Sequence, residues 1–226
     1  MNALLLFTLM TAPIGDVTVV TPREAHLQLA QQVQTGSLLV SRGDCLAVKV
    51  YSASRFTHVA TVVVHDSHVY CYDSTGGTGV RKQTLAEYLV SQNEASLHPF
   101  HPSKPLTKKQ AARLEEHLES QLGRPYAITH HLTGGRAEGL HCSEYATDSL
   151  IACGLLTAKE PSRVSPASLV EGVLKASLYE EADTLQLAPE PPPRPETESW
   201  CCWLWLETQQ CTFLCYRKLR AWFCCK

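Results

Sequence analysis

Little in this sequence is extreme, and its absences narrow the class. It has no stretch of about 18 consecutive apolar residues, so a conventional membrane-spanning helix is not expected. Neither Cys-x-x-Cys nor His-Glu-x-x-His occurs, which removes the commonest zinc signatures. The formal net charge is only −2, without the excess of Lys and Arg that a nucleic-acid surface needs. No internal repeat is found, which excludes a solenoid. The first 187 residues hold just Cys45, Cys71, Cys142 and Cys153, too scattered for a disulfide framework. On these grounds no metal, no other cofactor and no nucleic-acid partner is expected.

What is present suffices for one sizeable core: 226 residues, 44% of them hydrophobic. Composition divides the chain into four parts. Residues 1–19 form an apolar N-terminal segment, and residues 20–187 a globular domain. Residues 188–199 are a proline-rich linker that a run of prolines stiffens, and residues 200–226 are a Cys- and Trp-rich basic tail. The N-terminal run lacks the Lys or Arg that precedes a secretory apolar core, and Pro13 after Ala12 makes a poor cleavage site. It reads as a segment packed on the domain, with a weak export signal as the alternative.

Within the domain, Thr21-Pro22-Arg23-Glu24 is a capping box that opens a helix to about Val33. Ser37–Val40 is a short strand, and residues 45–51 fit either a strand or a helical face. His58–Val64 and His68–Tyr72 flank a hairpin turn. Thr84-Leu85-Ala86-Glu87 caps a short helix, and Ala95–His101 reads as a strand. Thr107 caps a longer helix whose inner face is Ala111, Leu114, Leu118 and Leu122. Another helix opens at Cys142, with Ala146, Leu150 and Cys153 inward and Gly154 as its stop. Ser165-Pro166 begins a last one, to about Lys175. The mixture is an α+β domain, and segments 73–83 and 126–141 read as loops.

Chemistry concentrates at Cys142 and His58. A thiol at a helix N-terminus feels unsatisfied N–H groups and the positive end of the macrodipole, which favour its thiolate. Glu144 in the first turn suits the dipole and slightly opposes the thiolate. His58 begins an apolar strand and can act as the base that completes an activated nucleophile. If Asp66-Ser67 forms a two-residue turn, residues summing to 133 face each other across the hairpin. Asp73 then lies diagonally from His58 on the same face, within reach of the imidazole. A one-residue slip would present Tyr72 or Ser74 instead. The other histidines, His65, His68, His130, His131 and His141, read as solvated loop residues.

These residues carry a resemblance to the permuted papain-fold cysteine hydrolases of the NlpC superfamily, in particular the YiiX/YebB/YaeF-like group. The matching pieces are Gly36-Ser37-Leu38-Leu39-Val40, Phe56-Thr57-His58-Val59-Ala60 and Val69-Tyr70-Cys71-Tyr72-Asp73. Leu122-Gly123-Arg124-Pro125-Tyr126 and His141-Cys142-Ser143-Glu144-Tyr145 follow. Lecithin:retinol acyltransferase-like proteins share the order of histidine before cysteine. The resemblance implies a circularly permuted papain-like fold, an antiparallel sheet packed with helices. It makes Cys142 the nucleophile, His58 the general base and Asp73 the orienting residue. Where relatives often carry Gly after Ser-His-Val, this chain has Ala60; where they often carry an aromatic residue before the cysteine, it has His141.

The function implied is a cysteine hydrolase of amidase or peptidase type, cleaving a small amide, ester, peptide or lipid-linked substrate. Alternatives are a lipid acyltransferase or thioesterase of the same fold, and a non-catalytic binding module. In a helical tail, Cys211, Leu214, Cys215, Leu219 and Trp222 would form one apolar stripe. Four basic residues against Glu207 give residues 201–226 a charge of +3. The tail therefore reads as a peripheral membrane anchor, with its cysteines as plausible acylation sites.

Overall fold

The computed structural model describes residues 17–42, 56–92, 94–128, 138–189 and 200–223. The apolar N-terminus, the ambiguous 45–51 stretch with Cys45, His130 and His131, and nearly all of the proline-rich linker lie outside the described residues.

The domain is mixed α+β, with eight strands in one sheet. These are β1 (Thr18–Val20), β2 (Leu38–Arg42), β3 (His58–His65), β4 (His68–Thr75), β5 (Gly79–Thr84), β6 (Ser96–Pro102), β7 (Tyr179–Glu181) and β8 (Leu185–Leu187). The order is β1-β8-β6-β2-β3-β4-β5, and β7 pairs with β6. Pairing is antiparallel except between β1 and β8.

The β3–β4 hairpin has the expected register, from Thr61 opposite Tyr72 to His65 opposite His68. Asp66 and Ser67 both adopt positive φ, 45° and 70°, as the two central residues of a type I′ turn must. The segment expected as a loop over 73–83 is instead largely strand. Thr75 to Gly79 turns the chain back, and β5 pairs with β4 along its whole length. Gly79, at φ +73°, permits this because a Cβ there would collide with the carbonyl oxygen of Arg124. Val80 N–H donates to that same oxygen at 2.9 Å.

Among the described residues there are six α-helices: α1 (Pro22–Gln32), α2 (Leu85–Ser91), α3 (Lys108–Ser120), α4 (Cys142–Ala152), α5 (Pro166–Lys175) and α6 (Trp200–Phe223). The capping boxes at Thr21, Thr84 and Thr107 all form, each hydroxyl accepting the N3 amide. The sheet has two buried faces. One packs Ala25 and Leu29 of α1 and Tyr88 and Leu89 of α2 against Leu39, Ala60 and Val62. The other packs α3, α4 and α5 against Val40, Val59, Val63 and Tyr72. Cover on both sides explains why β3 is apolar from Val59 to Val64 except at Thr61.

Helix α4 lies at the centre of the second cluster. The expected inner stripe, Ala146, Leu150 and Cys153, is buried, but so are Cys142 through Thr147 and Ser149, so the helix is covered almost all round. In α3, Leu114 and Leu118 are buried as expected, whereas Leu122 falls beyond the helix end and is 37% exposed. Leu150 has no exposed surface, and Leu150→Ala would leave a cavity under the central helix. A loss of about 2–5 kcal/mol is expected, read as a lower urea midpoint with unchanged m-value.

Candidate active site

The ladder between β3 and β4 stops at Thr61 and Tyr72, although both strands continue for three more residues. Beyond that point β3 stays paired with β2, where His58 faces Ser41, and β4 stays paired with β5, where Asp73 faces Arg81. The start of α4 is tied to this end of the sheet, because Ser74 Oγ donates to Leu140 O at 2.7 Å. Three elements thus deliver His58, Asp73 and Cys142 to one place.

The approach to Cys142 is fixed by the Leu122–Tyr126 segment. Leu140 N–H donates to Pro125 O at 2.9 Å. The Arg124 guanidinium donates through Nε and Nη2 to Glu138 O, at 3.0 and 2.6 Å. Gly139 passes so close to Pro125 and Ala127 that a Cβ would clash with both. Residues 129–137, just upstream, lie outside the described residues.

Cys142 is the first residue of α4, as expected, and is 5% exposed. Its N–H has no i−4 carbonyl to bond, as for any residue in a helix's first turn. The N-cap is His141. Its Nδ1 accepts the Glu144 N–H at 3.2 Å, and its Nε2 donates to Ser162 O at 2.8 Å. That pattern fits the neutral Nε2–H tautomer. Ser143 Oγ donates to Val164 O at 2.7 Å, so the turn at Pro161–Arg163 clamps the helix start. Glu144 is buried, with Oε2 3.9 Å from His141 Nε2.

His58 Nε2 lies 2.9 Å from Asp73 Oδ2, which leaves Nδ1 for the sulfur of Cys142. The ring stacks on Tyr88 of α2, with centroids 6.3 Å apart. Asp73 is 1% exposed, and its charge is not left alone. Arg81 Nε donates to Oδ1 at 2.7 Å, and Arg81 Nη2 donates to Oδ2 at 3.1 Å. Burial alone would raise the Asp73 pKa; the bonds from His58 and Arg81 outweigh it and hold the carboxylate below its ordinary range.

The three core thiols differ sharply. Burial pushes Cys71 and Cys153 up. Burial opposes the Cys142 thiolate too, but His141 and His58 beside it bring its pKa down to about 6. His58 is the counterpart: desolvation opposes its charge, while Asp73 and Cys142 raise it to about 10. The pair therefore favours thiolate and imidazolium between those two values. We assign the positive charge to His58 rather than His141. Although Cys142 pulls His141 upward against burial, its Nδ1 lone pair is engaged by the helix. Tyr126 is half-buried, and its phenol is pushed up by burial and by the charge on Cys142, so the two are close.

Sequence reasoning brought together Cys142, His58 and Asp73 and missed Arg81, His141 and Tyr88. Arg81 was hidden because 73–83 reads as a loop; once the Gly-rich turn at 75–79 is seen as a hairpin, Arg81 falls opposite Asp73. His141 was taken as a solvated loop residue, but it is 4% exposed and serves as the N-cap. His65 and His68, at the hairpin tip, are exposed. Among the described residues, no group of three or more His, Cys, Asp or Glu side chains is arranged to hold a metal ion.

No protein-family model matches this chain, and no curated protein does. Among solved structures it is similar to the crystal structure of the metalloprotein yiiX from Escherichia coli O157:H7, with 18% identity and a TM-score of 0.45, over 71% of this chain and 94% of that one.

The pairing sets a pH dependence. Alkylation of Cys142 should reach half its maximal rate near pH 6, because that is where the thiolate forms. His58→Ala removes a stabilising cation, so the half-point should move up toward the ordinary thiol range, with at least about a tenfold loss of rate at pH 7. Mass-resolved alkylation across pH checks this, and an unmoved half-point would exclude His58 as the partner. Arg81→Ala should cost about 2 kcal/mol of stability, less than for a fully buried pair because the Arg81 side chain is 25% exposed. Urea unfolding measures it.

Proposed function

We propose that this chain is a cysteine hydrolase of the permuted papain-like type, cleaving an amide or ester through an acyl-enzyme on Cys142. The observation that carries the reading is the approach of a helix-start thiol to an imidazole whose far nitrogen is held by a buried carboxylate. An exposed histidine and a packed cysteine would have no need of that arrangement.

In the proposed reaction the Cys142 sulfur attacks the carbonyl carbon, and its proton resides on His58 Nδ1. The developing oxyanion is met by the Cys142 N–H, which the helix leaves without an intrahelical acceptor. Collapse expels the amine or alcohol, which takes the proton from His58. Water then attacks the thioester with His58 as base, releasing the acid and restoring the thiol. Asp73 holds the imidazole so that Nδ1 faces sulfur, and it stabilises the imidazolium. Arg81 keeps Asp73 ionised and in place. A lipid acyltransferase or thioesterase would share the first half of this sequence and differ in the acyl acceptor or leaving group.

The test is direct. The full chain is incubated with a panel of short-chain and long-chain activated esters and amides, and adducts are mapped by mass spectrometry. A mass increase of one acyl group on Cys142, absent in Cys142→Ala and slowed in His58→Ala, is the expected result. Acylation confined to other cysteines, or equal labelling in Cys142→Ala, would overturn the reading. Asp73→Asn keeps the shape and removes the charge, so it should slow turnover of any substrate found while leaving Cys142 open to a strong electrophile.

A further inference from the structure

All four tryptophans of the chain fall within α6: Trp200, Trp203, Trp205 and Trp222. The first three are 70%, 49% and 64% exposed, and Leu204 and Leu206 are 46% and 43% exposed. Cys201 and Cys202 between them are exposed as well. The first two turns of this helix are therefore apolar on every side and open, whereas the exposed large apolar residues of the domain, Val17, Val19, Leu27, Val90 and Leu122, are scattered along the chain. An exposed apolar surface of this kind marks a binding site.

The charge pattern says for what. Residues 201–226 carry +3, and since the whole chain sums to −2 the other 200 residues carry −5. The basic residues Arg217, Lys218 and Arg220 belong to the same helix as the tryptophans. Indole rings settle at the headgroup level of a bilayer, where one edge is apolar and the N–H is wet. Basic residues further along the same helix attract anionic headgroups. Between the two groups the Thr208 and Thr212 hydroxyls donate to Leu204 O and Thr208 O, both at 2.8 Å, so these polar groups are satisfied inside the helix. No described helix is long and apolar enough to cross a membrane.

We propose that α6 is a surface anchor, seating Trp200, Trp203 and Trp205 in the headgroup region of a bilayer that carries anionic lipid. The proposal is independent of the chemistry at Cys142. The other 200 residues carry a net −5, so the basic tail supplies the attraction of opposite charge to such a surface.

The test uses the full chain under reducing conditions with vesicles of phosphatidylcholine alone or mixed with phosphatidylglycerol. Because every tryptophan is in α6, their emission reports this helix and nothing else. Sedimentation with the anionic vesicles and a blue shift of that emission are expected. The combined variant Trp200→Ser, Trp203→Ser, Trp205→Ser should lose at least about tenfold in partitioning. Arg217→Glu, Lys218→Glu, Arg220→Glu should lose the preference for anionic vesicles. Unchanged Cys142 alkylation in both variants would show that the domain still folds. Equal sedimentation of the tryptophan variant, or none by the natural chain, would overturn the anchor. So would emission already blue and shielded from acrylamide without vesicles, which would mean that α6 packs on the domain or on a second copy.

Discussion

A carboxylate with almost no exposure to water needs partners, and the candidate site is organised around that need. Asp73 meets it with a two-pronged bond from Arg81 and a third bond from His58. The Arg81 contact is a cross-strand pair, so it depends on the β4–β5 register. The His58 contact depends on the β3–β4 register. Both must be right at once for Asp73 to keep both partners. The same bond fixes which imidazole nitrogen faces Cys142. Asp73 thus bears on the thiol through His58, while His141 acts on it directly.

The second requirement is the helix start. A buried thiolate is disfavoured by desolvation, and Cys142 offsets this with His58, His141 and the first turn of α4. His141 holds that turn through Nδ1 and is itself held by Ser162 O, so the cap is anchored from outside the helix. The Gly139 passage and the Arg124 bonds to Glu138 fix the chain immediately before it. Cys71 and Cys153 lack these supports, and burial is the largest influence on both and pushes both up.

Much of this was legible because the signals are local. Capping boxes at Thr21, Thr84 and Thr107 need only four residues each, and all three form. The Asp66-Ser67 turn sets the hairpin register by counting, and that register brings Asp73 beside His58. What was missed is non-local or depends on a turn of weaker signature. The Thr75–Gly79 turn hid β5 and Arg81. The short strands β1, β7 and β8 have three residues each, too few for any periodicity, and they form by pairing with strands distant in sequence. Leu122 fits the α3 stripe by spacing, but the helix ends before it.

The sequence by itself determined the nucleophile-like position of Cys142, the hairpin register and the separateness in composition of the Trp-rich tail. Each follows from short-range rules of capping, turn length and composition. Only the tertiary structure decided that His141 is a cap rather than a surface residue, that Arg81 shares Asp73, and that β3 and β4 stop pairing where α4 begins. Those outcomes depend on which strands and helices become neighbours. Burial then sets the energy of each charge, and no pattern along the chain carries that information.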